Sequence, residues 1–173
     1  MADNENGMYG SKDYEIKTLE LINSGGQTVD VRKIFVELQI FQDIYSSVMN
    51  GNIVITDGND IFGNFYFVGN EYLRVSIDKP GLNRPIDRIF RVYKSSDRHP
   101  STDSGQTYVL HFCSEELISS QQILISKSYK STKIKDVISD ILVKELKVEP
   151  SRIASLENTS GSFDFIIPNY RPF

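Results

Sequence analysis

The sequence predicts a mainly β protein with some α, an α+β chain whose first two thirds form an antiparallel barrel or sandwich. Three observations predict it. Period-two alternation recurs in short runs between turn residues from about residue 14 to residue 113. No stretch before residue 114 has the length and period of a crossover helix, which parallel strands would need. An apolar stripe of helical period appears only after residue 131.

The chain has 173 residues, enough for one domain, or one domain with a smaller second one. Hydrophobic residues at 39% and charged residues at 24% are ordinary for a folded chain and argue against disorder. The formal net charge of -4 opposes nucleic-acid binding by counterion release, which needs clustered Lys and Arg. A single cysteine, Cys113, allows neither an internal disulfide nor a cysteine-based metal site. No apolar run approaches the roughly 20 residues that span a bilayer. The polar N-terminus, Met1 to Lys12, has no apolar signal core, so the chain is expected inside a cell or in something assembled there.

Residues 1–12, rich in Asn, Asp, Gly and Ser, are expected to be a flexible arm. Tyr14 to Ile22 is β-compatible, and Gly25-Gly26 reads as a turn. Ile34, Val36, Leu38 and Ile40 are expected on one strand face, with Phe35, Glu37, Gln39 and Phe41 on the other. Ile53-Val54-Ile55 is a short strand core. Leu73, Val75 and Ile77 alternate with Arg74, Ser76 and Asp78, and Lys79-Pro80-Gly81 ends that strand. Ile86 to Tyr93 opposes Phe90 and Val92 to Ile89, Arg91 and Tyr93. Asp97 to Gln106 reads as a long polar loop, and Tyr108, Leu110 and Phe112 form one more strand face.

After Cys113 the character changes. Ser114-Glu115-Glu116-Leu117 suits a capped helical turn. Ile123 to Tyr129 alternates. Ile134, Val137, Ile138, Ile141, Leu142 and Leu146 make one helical stripe and predict a helix over 131–146, N-capped by Ser131 or Thr132. Ser151 to Leu156 reads as a short helical turn and Asn158 to Ser162 as a turn. Phe163 to Ile167 is the last strand, ahead of a Pro-containing turn. The expected division is therefore an arm at 1–12, a β domain at 13–115 and an α+β segment at 116–173.

The chemistry-bearing residues are few. His99 sits in the predicted polar loop and His111 on a strand, facing opposite to Leu110. No nucleophile elbow, zincin helix or P-loop occurs. Cys113 reads as a small buried hydrophobe. Asp57-Gly58-Asn59-Asp60 begins like a calcium loop, but Ile61, Phe62 and Val68 occupy positions that need an oxygen donor, Gly and Glu. It reads as an Asx turn. No catalytic, cofactor-binding or metal-binding residue is assigned, and no enzyme activity is expected. Phe35, Phe41, Ile89 and Tyr93, on nominally outer faces, are candidate neighbour contacts or are covered by a helix or loop. Arg88, Arg91 and Lys94 read as a solvated or interface face.

Four runs, in order, resemble the N-terminal part of the central tail-hub proteins of contractile-tailed bacteriophage baseplates. The first is Ile44 to Asp57, containing Gly51-Asn52-Ile53-Val54-Ile55-Thr56-Asp57. The others are Phe67-Val68-Gly69-Asn70-Glu71-Tyr72-Leu73, Ser126-Lys127-Ser128-Tyr129, and Ile167-Pro168-Asn169-Tyr170-Arg171-Pro172-Phe173. The resemblance implies a tail-tube-like antiparallel β-barrel followed by the start of an inserted α+β domain, in a protein much longer than this chain. It implies a homotrimer in which each subunit supplies two barrels, adapting a sixfold tail tube to a threefold spike. This chain has room for one such barrel. The implied partners are further copies, the tail tube protein and the central spike protein, with baseplate wedge and tape measure proteins beyond them. DNA would pass only transiently, the location would be the virion tail baseplate assembled in the host cytoplasm, and no membrane insertion by this chain is implied.

Two alternatives stand beside it. One is a tube or spike-base subunit of a related contractile secretion system. The other is a non-catalytic β-sandwich that binds glycan or peptide through some of its nine tyrosines.

Overall fold

A computed structural model describes residues 14–46, 48–65, 67–79, 85–101 and 105–172. The expected arm at 1–12 lies outside the described residues, as do Pro80 and Gly81 of the predicted turn. The chain divides into two compact units between Ser114 and Glu115. The fold is mainly β with some α, as the alternation predicts.

The first unit holds seven strands: β1 (Glu15–Ile22), β2 (Thr28–Asp30), β3 (Phe35–Phe41), β4 (Asn50–Asp57), β5 (Tyr72–Asp78), β6 (Ile86–Pro100) and β7 (Gln106–Ser114). They form one antiparallel sheet in the order β2-β1-β5-β6-β7-β4-β3. The two outermost strands, β2 and β3, are consecutive in the chain and separated only by residues 31–34. Five residue steps reach roughly 17 Å. A flat sheet of this order would hold its edges about 29 Å apart, at about 4.8 Å per strand. The sheet must therefore curl until its edges approach, which makes it a half-barrel. At that junction Val31 is fully buried and its N–H donates to the Leu19 carbonyl at 2.9 Å.

The concave face is the core. Leu19 and Leu21, Leu73 and Val75, Phe90 and Val92, Tyr108, Leu110 and Phe112, and Ile53 and Ile55 are all buried on it. A short helix, α1 (Ile61–Asn64), adds Ile61 and Phe65 to that core. On β4 every second residue is buried: Gly51, Ile53, Ile55 and Asp57. Gly51 is required by close approach. A Cβ there would lie 2.1 Å from the Gln39 carbonyl oxygen and 2.6 Å from the Phe112 ring.

Bulges explain where period-two reading fails. Between Phe35 and Glu37 the β3–β4 register shifts. The extra residue turns Val36 outward, 65% exposed, and brings Phe35 against the core with Ile34, Leu38 and Ile40. The predicted faces are thus correct from Glu37 to Phe41 and wrong for Phe35 and Val36. β6 does not stop near Tyr93: two register shifts, Val92/Lys94 and Ser96/His99, carry it to Pro100 opposite Gln106. Of the predicted loop from Asp97 to Gln106, Asp97 to Pro100 and Gln106 are therefore strand, and 102–104 lie outside the described residues.

The second unit contains α2 (Glu115–Gln122), a hairpin of β8 (Leu124–Thr132) and β9 (Phe163–Pro172), α3 (Ile134–Asp140), a π-helical turn (Ile141–Glu145) and a 3₁₀ turn (Pro150–Arg152). Helix α2 is longer than the predicted turn, with Glu115 and Glu116 at its positive end. The helix predicted from Ser131 begins three residues later. Thr132 pairs with Phe163 and so stays in β8, and Lys133 is the N-cap without a side-chain cap bond. Strand pairing overrides the local capping signal. The predicted last strand continues past Ile167, where Leu124 pairs with Pro172 and Ile125 with Arg171. Each strand of a two-stranded sheet is an edge, so proline is tolerated there.

Candidate assembly surface

The conspicuous runs of the sequence prove to be folding devices. In Gly51–Asp57 the buried residues are the core-facing positions of β4, the last of which, Asp57, ties down the turn that leads into α1. Asp57 is buried; its Oδ1 accepts from the Asn59 N–H at 2.9 Å and its Oδ2 from the Ile61 N–H at 2.6 Å. The Tyr108 hydroxyl donates to Oδ2 at 3.4 Å. Burial, and then the Asp57 charge, push the Tyr108 hydroxyl far above the usual phenol range. Asp60 adopts φ 52° and accepts from the Gly63 N–H at 3.2 Å. The Asx-turn reading of 57–60 describes these bonds, and the helix that follows them carried no sequence signal beyond Asp60 itself. Among the described residues no group of three or more His, Cys, Asp or Glu is arranged to hold a metal ion.

The run Val68-Gly69-Asn70-Glu71 is likewise a loop clasp. Glu71 is buried and its carboxylate accepts from the Val68 N–H at 2.5 Å and the Gly69 N–H at 3.0 Å. Gly69 sits at φ +88°, where only glycine is unstrained. Asn70 accepts from the Arg91 guanidinium, which also lies 4.7 Å from the Tyr72 ring centre. Arg91 is thus half-buried and engaged, whereas Arg88 and Lys94 are exposed as expected of a solvated face.

The two histidines fall on the outer side of the half-barrel or beyond it. His99 is exposed in β6 opposite Thr107. His111 lies 2.8 Å from Ser96 Oγ, and that hydroxyl lies 2.8 Å from Asp97 Oδ2. The order acid–Ser–His differs from a catalytic triad, in which the carboxylate orients the imidazole. A hydroxyl has one proton; if it goes to Asp97, His111 must donate to Oγ and is no base. Tyr93 flanks the pair, its ring centre 6.2 Å from that of His111. Cys113 is buried and not disulfide-bonded.

Among its charged and polar residues the outer side also presents large apolar ones. Phe41 is 53% exposed, Ile89 and Tyr93 52% each. The β3–β4 connection adds Ile44 and Tyr45, 91% and 95% exposed. Their display is built in: Asp43 closes the turn by accepting from the Tyr45 N–H at 2.9 Å through Oδ1 and from the Ser46 N–H at 3.2 Å through its carbonyl. Of the four residues predicted as outer contacts, Phe35 is instead packed on the core. Ile44 and Tyr45 were missed as contacts because turn residues carry no periodicity.

No family model matches the chain, and no curated protein matches it. Solved structures do. A structure titled as a Francisella PdpA–VgrG complex, half-lidded, is similar over 72% of this chain and 22% of its own, at 14% identity and a TM-score of 0.40. A lidless PdpA–VgrG complex is similar over 73% of this chain and 24% of its own, at 15% identity and a TM-score of 0.42. An E. coli protein, c3393, described as a type VI secretion component with structural similarity to the phage T4 tail proteins gp27 and gp5, is similar over 88% of this chain and 36% of its own, at 8% identity and a TM-score of 0.46. The chain thus spans about a quarter to a third of the length of these chains.

Proposed function

We propose that the chain is a structural subunit of a contractile injection machine: part of a hub that joins a tube to a central spike, forms a ring around an axis and lines a channel. The observation that carries this reading is a half-barrel whose concave face is filled with side chains and whose outer side carries Phe41, Ile44, Tyr45, Ile89 and Tyr93 in solvent. Exposed large apolar residues are characteristic of a surface that meets other chains. The ordered runs from Ile44 to Asp57 and Phe67 to Leu73, which resemble runs of phage tail hubs, support the same role. In this reading the chain turns nothing over and holds no cofactor. Its partners are further copies, in threes, with a tube protein and a spike protein. Its place is the tail baseplate, in a virion or in a related secretion machine.

The glycan- or peptide-binding alternative expects an aromatic-lined groove. One cleft among the described residues, at the β6–β7 hairpin, is lined by Arg98, Pro100, Ser101, Gly105 and Gln106, without an aromatic ring.

The test is co-expression with candidate tube and spike proteins of a contractile machine from the same source, followed by imaging of the purified particle. A threefold ring with an axial channel is expected. Recovery of this chain free of both partners would overturn the reading.

A further inference from the structure

The two edges of the seven-stranded sheet are unlike. The β2 edge is three residues long and is guarded by charge. Arg32 Nη2 pairs with Asp30 Oδ2 at 2.6 Å, and Arg32 Nη1 donates to the Lys17 carbonyl of β1 at 2.9 Å, so a guanidinium occupies the acceptor that a further strand would need. The β3 edge is seven residues long, Phe-Val-Glu-Leu-Gln-Ile-Phe, with no Pro, Lys or Arg. Its partner is β4, and among the described residues no strand pairs with its other side. Long unprotected edges template the addition of another strand.

We infer that the free edge of β3 pairs with β3 of a second copy, antiparallel and about a two-fold axis at Leu38. The strand is self-complementary in that register. At the centre Leu38 meets Leu38 of the second copy and Glu37 meets Gln39, each pair on one face; the match ends there, because the bulge sets Val36 and Phe35 on the faces opposite to Ile40 and Phe41. The one charged residue of the strand therefore faces an amide and not its own copy. Gln39 Nε2 already donates to Glu37 within the chain, so the two groups are matched donor and acceptor on the same outer face. The bulge between Phe35 and Glu37 confines the regular ladder to the centre of the strand, which keeps the pair weak and concentration-dependent. The guarded β2 edge disfavours a head-to-tail alternative. A two-fold pair is closed and leaves no free β3 edge, so it protects the isolated chain from open-ended stacking. The inference is independent of the hub reading; a ring would have to replace this contact.

The test is the mass of the full chain in solution against concentration, with substitutions on the exposed outer face. Gln39→Glu sets two like-charge pairs across the axis, and at about 0.2–1 kcal/mol each they should weaken the dimer by about tenfold. The exchange Glu37→Gln with Gln39→Glu restores the complement and should restore the dimer, which a folding defect would not do. A mixture of the Glu37→Cys and Gln39→Cys chains should cross-link several-fold faster than either chain alone. A monomer at every concentration, or an oligomer indifferent to Gln39→Glu, overturns the inference.

Discussion

The two units are stabilised in different ways. Among the described residues the half-barrel encloses fourteen buried apolar side chains, drawn from five strands, the β2–β3 turn, α1 and its C-cap. The second unit buries three: Ile125, Val137 and Ile141, with Ile123, Tyr129 and Ile167 packed beside them. Its hairpin leaves Leu124, Phe163, Phe165 and Ile166 half exposed or more. In place of a large core it has a polar cluster. Asp140 accepts from the Tyr129 hydroxyl at 2.8 Å, pairs with Lys127 at 3.2 Å and with Lys144 at 2.5 Å, while Lys127 also pairs with Glu145. A two-stranded sheet is marginal by burial alone. The comparison teaches that one chain can order one half by apolar area and the other by directional bonds, and that the two halves should fail under different stresses.

The sharpest way to break the comparison is to cut equal volumes from the two cores. Ile53→Ala opens a cavity in a core that cannot collapse and should cost about 4 kcal/mol. Ile141→Ala, beside a part-exposed cluster, should cost about 2 kcal/mol by the same rule. Hydrogen exchange of the β4–β7 and β8–β9 amides would measure both. Equal losses would dissolve the distinction. Next in size is Gly51→Ala. The new methyl meets a backbone oxygen that can move only with β3, so overpacking should cost about 3 kcal/mol in a denaturant melt. Asp57→Ala follows at about 2 kcal/mol, since it removes the acceptor of the buried Ile61 N–H and that of the Asn59 N–H.

These residues also show what the sequence makes legible. The alternation at Leu73–Ile77 and Tyr108–Phe112 survives folding because those ladders are regular. It fails at Phe35 and Val36 because a bulge adds one residue there, and it stops near Tyr93 because two further register shifts interrupt the period of β6. Ser131 and Thr132 carry a sound capping signal that a partner thirty residues away overrules. The outer-side residues Phe41, Ile89 and Tyr93 were legible by strand parity. Ile44 and Tyr45 were not, because exposure in a turn is set by the Asp43 bonds and leaves no period. Asp140 was hidden for a related reason: its three partners lie on β8 and on the next turn of helix, at separations no single motif spans.

A smaller effect separates the units by pH. Hydrogen bonds from Lys144, Tyr129 and Lys127 hold the Asp140 carboxyl well below the usual carboxylate range. Its contribution is therefore complete above the unfolded pKa of about 3.9 and is lost as pH falls through the lower folded value. Amide protection in β8 and β9 should decline below about pH 4 before that of β4 and β7. Asp140→Asn should remove most of that acid dependence while lowering stability at neutral pH. An unchanged acid profile in the variant would show that apolar packing, and not the polar cluster, holds the second unit.

The smallest effect on stability tests the surface. Replacing Ile44 and Tyr45 together by serine removes two large side chains that bury almost nothing, so the melting of the chain should shift by less than about 0.5 kcal/mol. The Asp43 bonds to the Tyr45 and Ser46 amides involve backbone donors and survive the change. If these residues meet a neighbouring chain, recovery of the variant with the tube and spike proteins should fall severalfold although its fold is intact. A destabilised variant would instead place the pair in the folding of the half-barrel, and an intact variant that still assembles would move the contact away from the β3–β4 turn toward Ile89 and Tyr93.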